Sequence, residues 1–166
     1  MAEMHMTELH GQQLVLRLLT ESDLPDLLRV YQATPDYFGL AGPTSADVWQ
    51  QWHLAQITPG RQLFGIYHRD VRQYIGAADV QIGVPQPETA ALWILIESRW
   101  QHQGYAQECI AILEQWLISV QGVESLCAIA SRTETSLRFL ELQGFRETDT
   151  PAVAPVGSEP AFWMCW

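Results

Sequence analysis

The run Gln101-His102-Gln103-Gly104-Tyr105-Ala106 has the residue types of an anion cradle. It lies between a strand-like segment, residues 89–97, and an amphipathic helix that has already begun at Ala106. A glycine at such a turn lets main-chain N–H groups approach a ligand closely. The helix N-terminus adds a partial positive charge. A phosphate or pyrophosphate is the kind of group that this arrangement holds. The six residues alone also fit an ordinary strand–turn–helix joint, so their meaning depends on the elements around them.

Two carboxylates are candidates for moving a proton. Asp79 interrupts an otherwise apolar strand, residues 75–84. By alternation it shares a face with Ala77 and Gln81, opposite Ala78, Val80 and Ile82. Glu97 ends the strand before the cradle, and His68 is a third candidate. Each also reads as a surface or structurally bonded group.

The elements that must position these residues are marked by periodicity. Ala106, Cys109, Ile110, Leu113, Trp116, Leu117 and Val120 recur at spacings of three and four, and Gly122 closes that helix. One helix face therefore packs on a sheet while the N-terminus points out at the sheet's edge. Upstream, residues 13–18 read as a strand. Ser22 reads as the cap of a first helix, with Pro25 in its first turn and Leu24, Leu27, Leu28 and Tyr31 as its buried stripe. Residues 35–43 form a broken connection carrying Asp36, Tyr37 and Phe38. A second helix starts at Thr44 or Ser45, with Val48, Trp49, Trp52 and Ala55 inward. Residues 63–68 and 74–84 read as strands joined by a polar turn, followed by the strand at 89–97. After the main helix come a strand (125–130), a helix (134–142) and two strands (145–148 and 161–166). The order β-α-α-β-β-β-α-β-α-β-β predicts a single α+β domain over residues 1–166, a mixed central sheet flanked by helices. The long helix makes a parallel crossover, and the other pairs are antiparallel.

With 166 residues, 48% hydrophobic and 17% charged, the chain can bury one sizeable core. No apolar stretch reaches the roughly 20 residues of a membrane span, and residues 1–13 lack a secretory pattern, so a cytoplasmic location is expected. Cys109, Cys127 and Cys165 form no Cys-x-x-Cys pair, and Cys109 and Cys127 read as buried free thiols. The histidines have no metal-ligand spacing, so no metal is expected. A net charge of −10 argues against nucleic acid and anionic membranes and would draw in a cationic amine. An acidic chain that holds a polyanion needs local positive potential. Arg99, Arg132 and Arg138 stand near the cradle in sequence.

In this setting the pattern Gln-x-x-Gly-x-Ala at 101–106 resembles the pyrophosphate-binding signature of GCN5-related N-acetyltransferases. The element order is similar to theirs over nearly the whole chain. A second motif agrees, because Ser136, Gly144 and Phe145 fall where the family has Ser or Ala and then Gly-Phe. Thr133 stands at the family's usual asparagine and Leu140 at its usual tyrosine. Residues 14–28 are similar to the ribosomal-protein N-acetyltransferase branch.

The resemblance implies an enzyme that moves an acetyl group from acetyl-coenzyme A to a primary amine by direct attack. The acceptor would be a small cationic metabolite or a protein N-terminus. It implies a coenzyme site of Gln101, His102, Gln103, Gly104, Tyr105 and Ala106, with the amides of Gln103, Gly104 and Ala106 facing the pyrophosphate. Main-chain groups of Leu95 and Ile96 would take the pantetheine arm where their strand splays from its neighbour, and Thr133 and Ser136 would add to the site. An alkyl amine, with a pKa near ~10, must lose a proton, which gives Asp79 and Glu97 the catalytic places. Residues 90–96 hold no carboxylate, so family members with a glutamate base there are not models. The acceptor would lie by Asp36, Tyr37, Phe38 and Trp49, whose rings could cover a stem or a cation. Leu140 cannot protonate a departing thiolate. A non-catalytic coenzyme A-binding module on the same fold is therefore the alternative. The expected assembly is a monomer or homodimer.

Overall fold

Period-two patterning through the middle of the chain builds a mixed sheet with an apolar layer on each face. The computed structural model describes residues 8–33, 43–84, 86–131, 134–147 and 161–165. Its strands are β1 (Glu8–His10), β2 (Leu14–Leu18), β3 (Arg61–His68), β4 (Gln73–Ile82), β5 (Thr89–Ile96), β6 (Ser125–Ser131), β7 (Arg146–Glu147) and β8 (Ala161–Cys165). They lie in the order β1-β2-β3-β4-β5-β6-β8-β7. The β5–β6 pair is parallel and the other pairs are antiparallel, as the crossover reading predicts. Strand β1 is an addition to that reading. It is three residues long, too short for alternation to mark, and it is anchored by buried Leu9 opposite Leu16.

Among the described residues four helices cover the sheet: α1 (Leu24–Gln32), α2 (Ser45–Ile57), α3 (Tyr105–Ser119) and α4 (Glu134–Leu142). Helices α1 and α2 seal one face, where Leu27, Tyr31 and Val48 join Leu63, Ala77 and Leu95 in one cluster. Helices α3 and α4 seal the other, where Cys109, Leu113, Trp116 and Leu140 join Leu16, Phe64, Val80 and Leu92. Asp79 sits on the α1–α2 side.

Several local expectations change. A one-turn 3-10 segment, Glu21–Asp23, precedes α1. Asp23 rather than Ser22 is the cap, and the Thr20 N–H donates to its Oδ2 at 2.9 Å. Val120 is exposed because α3 ends at Ser119. Trp49 is 46% exposed and stacks on His53 at 4.8 Å, whereas Trp52 turns inward and its Nε1–H donates to the Leu19 carbonyl. Cys109 is a free buried thiol, but Cys127 is disulfide-bonded and lies directly opposite Cys165 in the β6–β8 register. Spacing along one chain could not show that register, because it arises between strands. Glu108, in the first turn of α3, accepts the N–H groups of Gln13 and Leu14 at 3.0 and 2.8 Å, which fastens the helix start to the entry of β2.

Candidate active site

A gap in the sheet opens beside the cradle. Pairing between β5 and β6 runs from Thr89↔Ser125 to Leu92↔Ala128. Both strands then continue, over residues 93–96 and 129–131, without further pairs between them among the described residues. Residues 93–96 stay paired with β4 on their other side. Alternation decides which main-chain groups face the gap. The Leu95 carbonyl presses on Gly76 of β4, and the Glu97 N–H donates to the Ile75 carbonyl. Odd-numbered residues therefore bond β4, and the amide and carbonyl of Ile94 face the gap together with the amide of Ile96. Of the two residues that the sequence reading chose, Ile96 turns its amide to the gap and Leu95 turns its main-chain groups to β4. The cause is strand phase, which residue types do not reveal.

The gap leads to the turn at 101–104. Gly104 adopts φ 88°, and a Cβ there would meet nothing within 4 Å, so the turn is open on that side. His102 is also left-handed, at φ 64°, a strained conformation for a residue with a side chain. The first bond of α3 runs from the Glu108 N–H to the Gly104 carbonyl. The amides of Tyr105, Ala106 and Gln107 precede it and emerge at the helix N-terminus. This geometry fits a pyrophosphate. The side chains of the turn brace it: Gln101 Nε2 donates to the Ile96 carbonyl at 2.8 Å and Gln103 Nε2 to the Arg99 carbonyl at 3.2 Å. The Tyr105 hydroxyl meets the ring of His68, at the end of β3, at 3.0 Å.

Asp79 is 7% exposed and held by Arg61, whose Nε and Nη2 reach its two oxygens at 3.1 and 2.7 Å. Arg61 Nη2 also donates to Gln51 Oε1. Burial pushes the Asp79 carboxyl above the usual carboxylate range, against the pull of Arg61. The neighbouring Tyr31 hydroxyl is pushed up by its own burial and then by the Asp79 charge. Across the β4–β5 pair, Asp79 lies opposite Trp93, the first residue of β5 past the pairing with β6.

Glu97, 5% exposed, is shared between two guanidiniums, Arg29 at 2.8 Å and Arg99 at 2.7 Å. Arg29 also donates to the Tyr74 carbonyl. Arg99 therefore commits its Nε to Glu97 rather than standing free beside the cradle. His68 has both ring nitrogens engaged.

On the acceptor side, Asp36, Tyr37 and Phe38 lie outside the described residues, and Trp49 stands on the outer face of α2. Thr133 is also outside them, and Ser136 lies within α4 with its side chain outside them. Leu140 is 8% exposed in the core cluster under α4, and Gly144 ends that helix at φ 96°. The Phe145 and Gly144 N–H groups return to the carbonyls of Leu140 and Glu141, a Schellman closure. The sequence reading named neither Arg61 and Arg29 as the partners of the two carboxylates nor Ile94 as a residue facing the gap. A charge in an apolar strand signals that a buried partner exists, but which arginine supplies it depends on the β3–β4 register.

A mixed sheet parted over a glycine turn at a helix N-terminus is the architecture of the N-acetyltransferase fold. Residues 13–146 match the family model described as acetyltransferase (GNAT) domain, and the chain belongs to that family. No curated protein matches the sequence. An acetyltransferase from Thermus thermophilus is 27% identical with a TM-score of 0.78, over 95% of this chain and 98% of that one. The ribosomal-protein-S5-alanine acetyltransferase of Vibrio fischeri is 14% identical with a TM-score of 0.69, over 96% and 95%. The spermidine N-acetyltransferase of Vibrio cholerae, solved with CoA and spermine, is 14% identical with a TM-score of 0.71, over 93% and 94%. At those identities the last two show shared fold alone. No helix among the described residues is long and apolar enough to cross a membrane.

Proposed function

We propose that the chain transfers an acetyl group from acetyl-coenzyme A to a primary amine by direct attack. The observation that carries this reading is the β5–β6 gap opening onto the Gly104 turn. The amides at the start of α3 would hold the pyrophosphate, and Ile94 and Ile96 would hold the arm. Bound there, acetyl-coenzyme A supplies a thioester. The chain aligns it and offers main-chain N–H groups to the carbonyl oxygen as it gains charge.

Asp79 is the base this reading assigns. Arg61 occupies one direction on each oxygen, leaving further lone pairs, and a carboxyl pushed upward by burial suits a base working nearer neutrality. Glu97 is the second choice, because two arginines divide its oxygens. The acceptor is a small cationic amine or a protein N-terminus, entering from the α1–α2 side.

Two observations favour a second reading, a coenzyme A-binding module without turnover. Both carboxylates are in ion pairs, and a buried leucine stands where the family has its tyrosine. Release of free coenzyme A thiol across a panel of amines decides between them. Amine-dependent release supports the transferase. Tight coenzyme binding with no release for any amine overturns it in favour of the module.

A further inference from the structure

His68 ends β3 and is 5% exposed, close under the cradle. Its Nδ1 accepts the N–H groups of Asp70 and Val71, at 3.2 and 3.3 Å. Only a lone pair accepts, so the proton sits on Nε2. That Nε2–H donates to the Tyr105 hydroxyl oxygen at 3.0 Å, with the two rings nearly perpendicular. Tyr105 is the first residue of α3, directly after Gly104. Trp100, the residue just before the cradle, packs on His68 at 5.9 Å and on Tyr105 at 6.3 Å. The residues at both ends of 101–104 thus rest against one imidazole.

We propose that His68 is a positioning residue for the coenzyme cradle, fixing through Tyr105 the direction of the amides that meet the pyrophosphate. The inference rests on the coenzyme reading above. The turn needs outside support, because left-handed His102 is strained and open Gly104 offers no packing. His68 is itself held by the β3–β4 turn, where the Arg72 N–H returns to its carbonyl at 2.8 Å. Support therefore passes from that turn through the imidazole to the phenol and on to the first turn of α3. A cradle tilted out of line keeps its charge but loses the geometry of its hydrogen bonds.

The test compares His68→Phe and Tyr105→Phe, which keep rings and delete the bond, with His68→Gln, which keeps an N–H donor. Acetyl-coenzyme A affinity is read by calorimetry, and amide exchange at residues 103–106 is read without coenzyme. Each Phe variant should weaken acetyl-coenzyme A about three- to tenfold, the worth of one hydrogen bond. The double variant should be no worse than either single one. Exchange should quicken at 103–106 while the middle of α3 keeps its protection, and His68→Gln should restore part of both. KM for acetyl-coenzyme A should rise while KM for the amine stays within about twofold of wild type. Unchanged affinity in folded variants overturns the proposal, as does exchange that quickens evenly along α3. A wild-type chain that binds no coenzyme overturns the coenzyme reading instead. Unchanged exchange at 103–106 in His68→Phe removes the positioning role regardless of any ligand.

Discussion

At Asp79 a buried ion pair and the proposed base are the same carboxylate, and substitution separates the two. Asp79→Asn keeps the size and abolishes proton acceptance. If Asp79 is the base, kcat at neutral pH should fall ~10²–10⁴-fold with coenzyme affinity nearly unchanged, and should partly recover at high pH as free amine accumulates. Wild-type turnover across that range in a folded variant would move the assignment to Glu97. The same residue has a stability signature. Its folded pKa lies above the unfolded value, so the native state holds the extra proton. Its contribution is complete below the ordinary carboxylate pKa and is lost as pH rises through the folded value. Urea midpoints measured from acid to neutral pH should show that loss in wild type and a smaller one in Asp79→Asn. Leu140 gives a second residue-scale prediction. It is a core side chain, so Leu140→Ala should destabilise by about 2–5 kcal/mol in chemical denaturation. Leu140→Tyr should raise turnover only if thiolate protonation limits the rate. An unchanged kcat in a folded variant shows that it does not.

At the scale of elements, the α3 N-terminus sets how Gly104 responds. A Cβ meets no neighbour there, but φ 88° strains any L residue. Gly104→Ala should lower the melting temperature slightly, by the ~1–2 kcal/mol of a left-handed non-glycine, and weaken coenzyme binding modestly. Gly104→Glu should fold comparably and lose binding, since it adds negative charge at the mouth of the cradle. Calorimetry on both variants separates strain from charge, and equal binding by the two would deny the turn its anion role. The long helix, its glycine turn and the parallel crossover were legible because periodicity over fifteen residues is strong. Trp49 was misread as inward because α2 carries apolar residues on more than one side. The strand phase that selects Ile94, and the partners of Asp79 and Glu97, were not legible, since both depend on register between strands distant in sequence. Thr44 shows the opposite case. Its exchange of bonds with Asp47 at the start of α2 is purely local, and a helix beginning there was readable from the sequence.

For the whole molecule, a net charge of −10 acts at long range on the proposed coenzyme and amine alike. Four of its arginines, at 17, 29, 61 and 99, are ion-paired with carboxylates of the chain itself, which offsets part of its positive charge. Added salt screens the field over about 10 Å at 0.1 M. For a cationic amine, kcat/KM should therefore fall as salt rises. For a neutral amine measured at equal coenzyme saturation it should stay flat. Parallel curves for the two would show that the acceptor path does not sense the net charge.

The sheet order carries a consequence for synthesis. Strand β8 follows β7 in the chain yet lies between β7 and β6. On the ribosome, β6 can take its place beside β5 as soon as α3 has formed, but its other edge waits for a strand not yet made. Until residues 161–165 clear the exit tunnel, a row of main-chain donors and acceptors stands open on an apolar strand, a template for pairing with another nascent chain. Slower translation after β6 has left the tunnel, while β8 is still inside it, would lengthen that exposure. Yield in the cell should therefore depend on codon speed at that stage of synthesis.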